Sequence, residues 1–356
     1  MPLPGGGVNN SSSQLLSGFP VKGVPPGLLS RQEKYLLLER AILAYYHWYC
    51  ERSQATRNWH PNTSVTWGEM RQDHSDEVIT ILRGFYAVEF YVPDYVSTLL
   101  KHIRQSRGRS HFHLRWGAEE AKHSDLWMNT LLFSGRYSLK ELEDYSAELA
   151  ANSYELPWED AAMMLTYTVF QERATQVNYL GLRKIADGKS EVGTYAGAAD
   201  PVLSSACRFI ATDEAAHYNF FLQLLKLHLY YFPAETVESI VKVIRHFTMP
   251  AGDIIPGYDH FSKVVSKAAV YGPRQHTKDV IRVVLDQLGI ESVKDLEGGI
   301  KRLRVVPDMD GNFRETAIFE GLAFDDGRPQ LFGSIEKHED SYGLPQAFRT
   351  TFVPNY

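Results

Sequence analysis

Cysteine is nearly missing from this chain of 356 residues, with only Cys50 and Cys207 present. Two thiols make no disulfide scaffold and fit a reducing compartment. Long apolar runs are missing as well. None reaches the roughly 18 residues that a membrane-spanning helix needs, so no membrane span is expected. Charge of one sign is not in excess. The balance of 37 Lys and Arg against 43 Asp and Glu leaves −6, which gives no general attraction for nucleic acid or membrane surfaces. Residues 1–30 hold no acidic side chain and lack the apolar centre of a secretory signal, so they read as a flexible N-terminal tail. Gly5-Gly6-Gly7 follows no strand and is no phosphate loop. No flavin or nicotinamide motif is present, so redox chemistry would need an external electron donor.

What is present is ordinary globular composition, 44% hydrophobic and 22% charged, with ample length for a core. Within it one short pattern occurs twice, Glu120-Ala121-Lys122-His123 and Glu214-Ala215-Ala216-His217. Both lie in sequence that reads as helix. At this spacing the carboxylate and the imidazole leave the same face one turn apart and can grip one metal ion. Two Glu-x-x-His helices plus a lone Glu from each of two further helices form the di-metal carboxylate pattern. Glu89 and Glu172 supply the lone glutamates. Each sits in a largely apolar stretch where an unpaired carboxylate is costly to bury. The expected metal ligands are therefore Glu89, Glu120, His123, Glu172, Glu214 and His217. Their four negative charges balance two divalent cations, and the oxygen-rich set suits iron or manganese.

Along the chain, helices are expected over Arg31 to Gln54, Ser75 to Gln105, Ser110 to Leu132 and Leu139 to Ala150, then from near Pro157 to Asp187 and from Pro201 to Tyr231. Pro93 predicts a kink just after Glu89, and Arg107-Gly108-Arg109 reads as a turn. Pro233 to Met249, Tyr258 to Tyr271 and Pro273 to Leu288 read as further helices. Beyond Gly289 the pattern changes, with strands expected at 302–306 and 316–319 around a turn. The domain reading is a tail 1–30, a helical di-metal domain 31–290 and a C-terminal irregular or β extension 291–356.

These segments together resemble the soluble acyl-acyl carrier protein desaturases of the ferritin-like superfamily. Trp116-Gly117-Ala118-Glu119-Glu120-Ala121-Lys122-His123 is similar to that family's Trp-Thr-Ala-Glu-Glu-Asn-Arg-His. Phe170-Gln171-Glu172-Arg173-Ala174-Thr175 matches its Phe-Gln-Glu-Arg-Ala-Thr, and Asp213-Glu214-Ala215-Ala216-His217 its Asp-Glu-Lys-Arg-His. Glu89 with Pro93 and Tyr95 resembles its first ligand helix, and the similarity spans roughly residues 35 to 290. Phe90, Gly117 and Ala215-Ala216 depart from the family pattern.

The resemblance implies an all-α, ferritin-like four-helix bundle with additional helices. It also implies a homodimer, two Fe2+ ions per chain, ferredoxin as electron donor, and desaturation of an acyl chain on acyl carrier protein. By the same resemblance Thr175 has a catalytic role in oxygen activation or proton delivery, and Asp213 with Trp59 links a ligand histidine toward the surface. Phe85, Tyr86, Trp127, Thr168, Val169 and Phe221 fall one turn from ligands and are candidate tunnel residues. The basic clusters Lys101, Arg104, Arg107, Arg109 and Arg183, Lys184, Lys189 are candidate docking points for an acidic carrier. The expected compartment is the cytoplasm, or the plastid stroma in a plant or alga. The competing readings are a di-iron hydroxylase on an unusual carrier-bound substrate, ferritin-like iron storage, and a ribonucleotide reductase small subunit. The last requires a tyrosine beside the metal.

Overall fold

The computed structural model describes residues 29–290 apart from 159 and 196, together with 306–307 and 313–314. Helices dominate the described residues: α1 (Arg31–Trp48), α2 (Asp76–Phe90), α3 (Val92–Ile103), α4 (Arg107–Phe133), α5 (Leu139–Ala150), α6 (Ala161–Ala186), α7 (Pro201–Tyr231), α8 (Pro233–His246) and α9 (Tyr258–Lys267). A last helical run covers 273–287, with a π-helical segment, His276–Ile281, inside it. The fold class is all-α. The only β pairing among the described residues is antiparallel, Val306 opposite Arg314 and Pro307 opposite Phe313. This pairing spans the expected turn. The rest of the expected strands, the tail 1–28 and most of 291–356 lie outside the described residues.

Local chemistry sets the helix ends. Ser30 with Glu33 and Ser138 with Glu141 form capping boxes at the starts of α1 and α5. Asp160 caps α6, accepting from the amides of Ala162 and Met163 at 2.9 Å each. So α6 begins at Ala161 rather than at Pro157. Two other expectations are corrected. The segment around Pro93 is two helices, not one kinked helix. It breaks at Tyr91 (φ −85°, ψ 14°), and Pro93 falls in the first turn of α3, where its missing N–H costs nothing. Arg107-Gly108-Arg109 is the first turn of α4, not a loop. Gly108 is there for closeness, because a Cβ would stand 2.8 Å from the Leu43 amide nitrogen of α1.

The bundle is α2, α4, α6 and α7. α6 and α7 pack along their length, and α4 packs against α2, α3 and α1. The core between them is aromatic and aliphatic. Phe112 stacks on Phe220 at 3.5 Å between ring centres, joining α4 to α7, with Tyr49 edge-on to both.

Helix α7 starts at a buried polar knot. Asp200 accepts from the Val202 and Leu203 amides at 2.8 and 3.2 Å, from the Arg71 amide at 3.2 Å, and pairs with His74 Nε2 at 2.9 Å. Burial pushes the Asp200 carboxyl up, but His74 and the three amides outweigh it and hold it below its usual value of 3.8. A depressed carboxyl contributes stability above its unfolded pKa and loses it as pH falls through the folded one. Asp200→Ala is expected to lower unfolding free energy by about 2 kcal/mol or more near neutral pH, from the lost cap and the orphaned His74. The gap between variant and wild type, measured by denaturant titration, should shrink once the pH drops below about 3.8.

Candidate metal centre

Each bundle helix brings one carboxylate to the same buried point: Glu89 from α2, Glu120 from α4, Glu172 from α6 and Glu214 from α7. His123 and His217 follow one turn after Glu120 and Glu214. Ligand atoms of Glu89, Glu120, His123 and Glu214 all lie within 4.8 Å of one another, as do those of Glu120, Glu172, Glu214 and His217. Glu120 and Glu214 belong to both groups. His123 Nδ1 stands 3.0 Å from Glu120 Oε2 and 3.3 Å from Glu214 Oε1. His217 Nδ1 stands 2.8 Å from Glu120 Oε1 and 3.5 Å from Glu172 Oε2. All six side chains are buried.

The outer nitrogens of the two imidazoles are held reciprocally. His123 on α4 turns Nε2 toward Asp213 of α7 at 3.3 Å, and His217 on α7 turns Nε2 to Glu119 of α4 at 2.7 Å. Around these acids sits a second ring of donors. Trp59 Nε1 donates to Asp213 Oδ2 at 2.8 Å, and its ring lies parallel to that of His123 at 6.1 Å. Arg57 donates to Asp213 Oδ1, to Glu119 at 3.1 Å and to the Tyr49 hydroxyl at 2.7 Å. Tyr49 donates to Glu119 at 2.7 Å from the first residue of the π-helical turn Tyr49–Gln54, which continues α1. Both lone glutamates also have a donor. The Tyr179 hydroxyl donates to Glu89, and Trp116 Nε1 donates to Glu172 at 3.1 Å.

Without a cation the cluster is electrostatically frustrated. Burial, reinforced by the Glu120 charge, pushes Glu89 up to about 8. Burial with Glu120 and Glu172 pushes Glu214 well above the carboxylate range, and burial raises Glu172. Burial works against the charge on Glu120 too, but His123 and His217 outweigh it and bring Glu120 to about 2. Burial opposes both imidazolium charges, yet the acids around them win and raise both. Glu172 Oε2 and both Glu214 oxygens make no aligned hydrogen bond among the described residues, and Glu120 Oε1 is met only by His217 Nδ1 at 2.8 Å, out of line for a hydrogen bond. Orphaned buried acceptors aimed at one point are what a pair of hard or borderline divalent cations requires. The residues therefore fit a pair of divalent cations, iron among them.

Thr175 lies one turn after Glu172. Its hydroxyl donates to the Gln171 carbonyl at 2.9 Å and accepts from Gln171 Nε2 at 3.2 Å. It lines a cavity of about 570 Å³ together with Phe85, Val88 and Tyr179, beneath a rim formed by α9 and Tyr271 to His276. Of the candidate tunnel residues, Phe85 reaches this cavity and Trp127 packs behind it, at 5.2 Å between ring centres. Tyr86, Thr168, Val169 and Phe221 are buried in the core. The first basic cluster is reduced, since Arg109 is buried and donates to the Ala161 carbonyl at 3.0 Å. In the second, Arg183 and Lys189 lie 3.8 and 3.6 Å from Asp187.

Sequence reasoning missed Glu119, Arg57, Tyr49 and Tyr179. The doubled acid in Glu119-Glu120 and Asp213-Glu214 could have revealed Glu119, because it repeats along with the Glu-x-x-His. Arg57 comes from a loop without periodicity and had no such signal.

A helical bundle that buries paired Glu-x-x-His turns and two lone glutamates belongs to the di-metal carboxylate class of folds. A sequence profile described as fatty acid desaturase matches residues 55–307, and the chain belongs to that family. It is 28% identical over 237 residues to stearoyl-[acyl-carrier-protein] 9-desaturase 6 of Arabidopsis thaliana, covering 63% of this chain and 58% of that protein. It is 27% identical over 244 residues to palmitoyl-[acyl-carrier-protein] 4-desaturase of Coriandrum sativum, covering 65% and 61%. The chain thus spans about three fifths of the length of these relatives. A solved structure assigned as an acyl-ACP desaturase, DesA2 of Mycobacterium tuberculosis, aligns at 19% identity with a TM-score of 0.48, over 70% of this chain and 92% of that one. Among the described residues no helix is long and apolar enough to cross a membrane.

Proposed function

We propose that the protein is an oxygen-dependent desaturase of a carrier-bound acyl chain, with an iron pair held by Glu89, Glu120, His123, Glu172, Glu214 and His217. The observation that carries this reading is the overlap of two four-residue ligand groups on Glu120 and Glu214, beside an apolar cavity. When bound, the iron pair would supply oxygen activation and C–H oxidation, with electrons from an external donor such as ferredoxin.

The protein's own part is orientation and proton control. Glu119 and Asp213 fix the outer nitrogens of His217 and His123, so that both Nδ1 atoms face inward. Tyr179 and Trp116 each hold one oxygen of Glu89 and Glu172. Thr175 presents a hydroxyl at the cavity wall one turn from Glu172, where it can hold or pass a proton through Oγ1. The cavity offers an acyl chain a largely apolar wall that includes Val88, next to Glu89, and Thr175, and positioning of this kind supplies much of an enzyme's rate enhancement. Trp59, with Asp213, connects His123 outward to Lys122, whose ammonium lies 4.5 Å over the indole.

The test is product mass after turnover of acyl-ACP with oxygen, ferredoxin and its reductase. Loss of two hydrogens is expected. Gain of one oxygen atom, labelled from oxygen gas, would replace desaturation with hydroxylation. Continued iron oxidation with unchanged substrate would favour storage.

A further inference from the structure

We infer that Tyr179 links the cavity to the metal ligands, so that a bound acyl chain tightens ion binding at one position of the pair and not at the other. The inference rests on the acyl and iron readings above and adds a coupling between them.

Spacing on α6 makes the link. Glu172, Thr175 and Tyr179 follow at intervals of three and four residues and so share one face of the helix. Glu172 joins the ligand cluster, while Thr175 and Tyr179 reach the cavity wall. Tyr179 touches both. It lines the cavity, with its ring edge-on to Phe85 at 4.9 Å and 5.2 Å from Trp127 between centres. Its hydroxyl donates to Glu89 of α2. Among the described residues no other side chain of the cavity wall has a hydrogen bond to a metal ligand. The Thr175 hydroxyl bonds to Gln171, and Asn178 donates to the Ala174 carbonyl at 2.9 Å.

The link reaches one half of the cluster. Glu89 belongs to the group with Glu120, His123 and Glu214, and not to the group that holds Glu172 and His217. Glu172 takes its donor from Trp116, which packs against His113 and Phe221 away from the cavity wall. A chain in the cavity covers the side of Tyr179 that Phe85 and Trp127 leave open. The ring is then held in one place, and its hydroxyl holds Glu89 in one orientation. An ion on Glu89 acts in reverse, fixing the hydroxyl and with it the wall that the chain meets. Each ligand thus finds part of the ordering already done by the other, which is positive coupling.

Anaerobic calorimetry with ferrous ion and palmitate tests this without turnover. In wild type one of the two ferrous sites should bind about fivefold tighter when palmitate is bound, the low end of ordinary coupling between sites. Palmitate should gain the same factor on iron loading, because coupling is reciprocal. Tyr179→Phe keeps the ring and loses the hydroxyl. It should bind palmitate in the metal-free state as wild type does, with the coupling gone. Glu172→Ala, which retains the Glu89 group, should keep the coupling, and Glu89→Ala should lose it. This second pair of variants keeps the test available if Tyr179→Phe unfolds. Undiminished coupling in Tyr179→Phe or in Glu89→Ala, or none in a wild type that binds both ligands, would overturn the role of Tyr179 and leave the acyl and iron readings standing. Absence of palmitate binding in every protein would overturn the acyl reading and this inference together.

Discussion

Iron bound per chain is expected to fall from about two to near none in the Glu120→Ala/Glu214→Ala double variant. These two carboxylates belong to both ligand groups, so their loss leaves each prospective ion with only two of its four residues. Glu89→Ala or Glu172→Ala alone removes a residue from one group only, and should leave the other site loaded. Elemental analysis after anaerobic ferrous loading reads the outcome, and retention of two irons by the double variant would refute the ligand assignment. Loading should also depend on pH. In the metal-free protein Glu89 is held up to about 8, and burial with its acidic neighbours pushes Glu214 well up as well. Iron must displace those protons, so affinity rises with pH and weakens as the pH falls below the Glu89 value.

Arg57→Ala should be the most destabilising single change near the site, by about 3–5 kcal/mol, the cost of leaving a buried ion pair half empty. The Arg57 side chain is 10% exposed and its guanidinium serves Asp213, Glu119 and Tyr49 at once. Burial lowers its pKa, but Tyr49, Glu119 and Asp213 outweigh that, so it remains charged. Removing it takes the shared guanidinium from two buried carboxylates, each of which orients a histidine. Lysine cannot copy the planar fork, so Arg57→Lys should recover part of the stability and not all of it. Denaturant unfolding of the metal-free protein is the measurement. Unchanged stability in Arg57→Ala would mean that the acids find other donors and that the clasp is not structural.

Much of this arrangement was legible in the chain because it repeats. The doubled Glu-x-x-His, with a lone glutamate in an apolar stretch before each copy, named six residues that the fold brings together in one buried cluster. The all-α class came with the family resemblance and agrees with the long helical stretches read along the chain, such as the one opening at Pro201. What was misread depended on contacts from elsewhere in the chain. Gly108 looked like a turn because its true reason, the approach of α1, is invisible locally. Pro93 looked like a kink because nothing in sequence distinguishes a bent helix from a restarted one. Arg57 and Tyr179 carry no periodic signature, and their importance appears only when Asp213, Glu119 and Glu89 arrive from other helices.

The reciprocal hold of each outer acid on the opposite helix has a mechanical consequence. Apolar faces tolerate sliding, because one leucine replaces another at similar energy. The Glu119–His217 and Asp213–His123 contacts do not, since a slip of one turn between α4 and α7 would part both at once. They act as a pair of crossed keys that fix the register of the two helices along their axes. The bundle therefore holds its alignment through the chain's own side chains, and cations bound there would meet a finished mould rather than having to draw the helices into place.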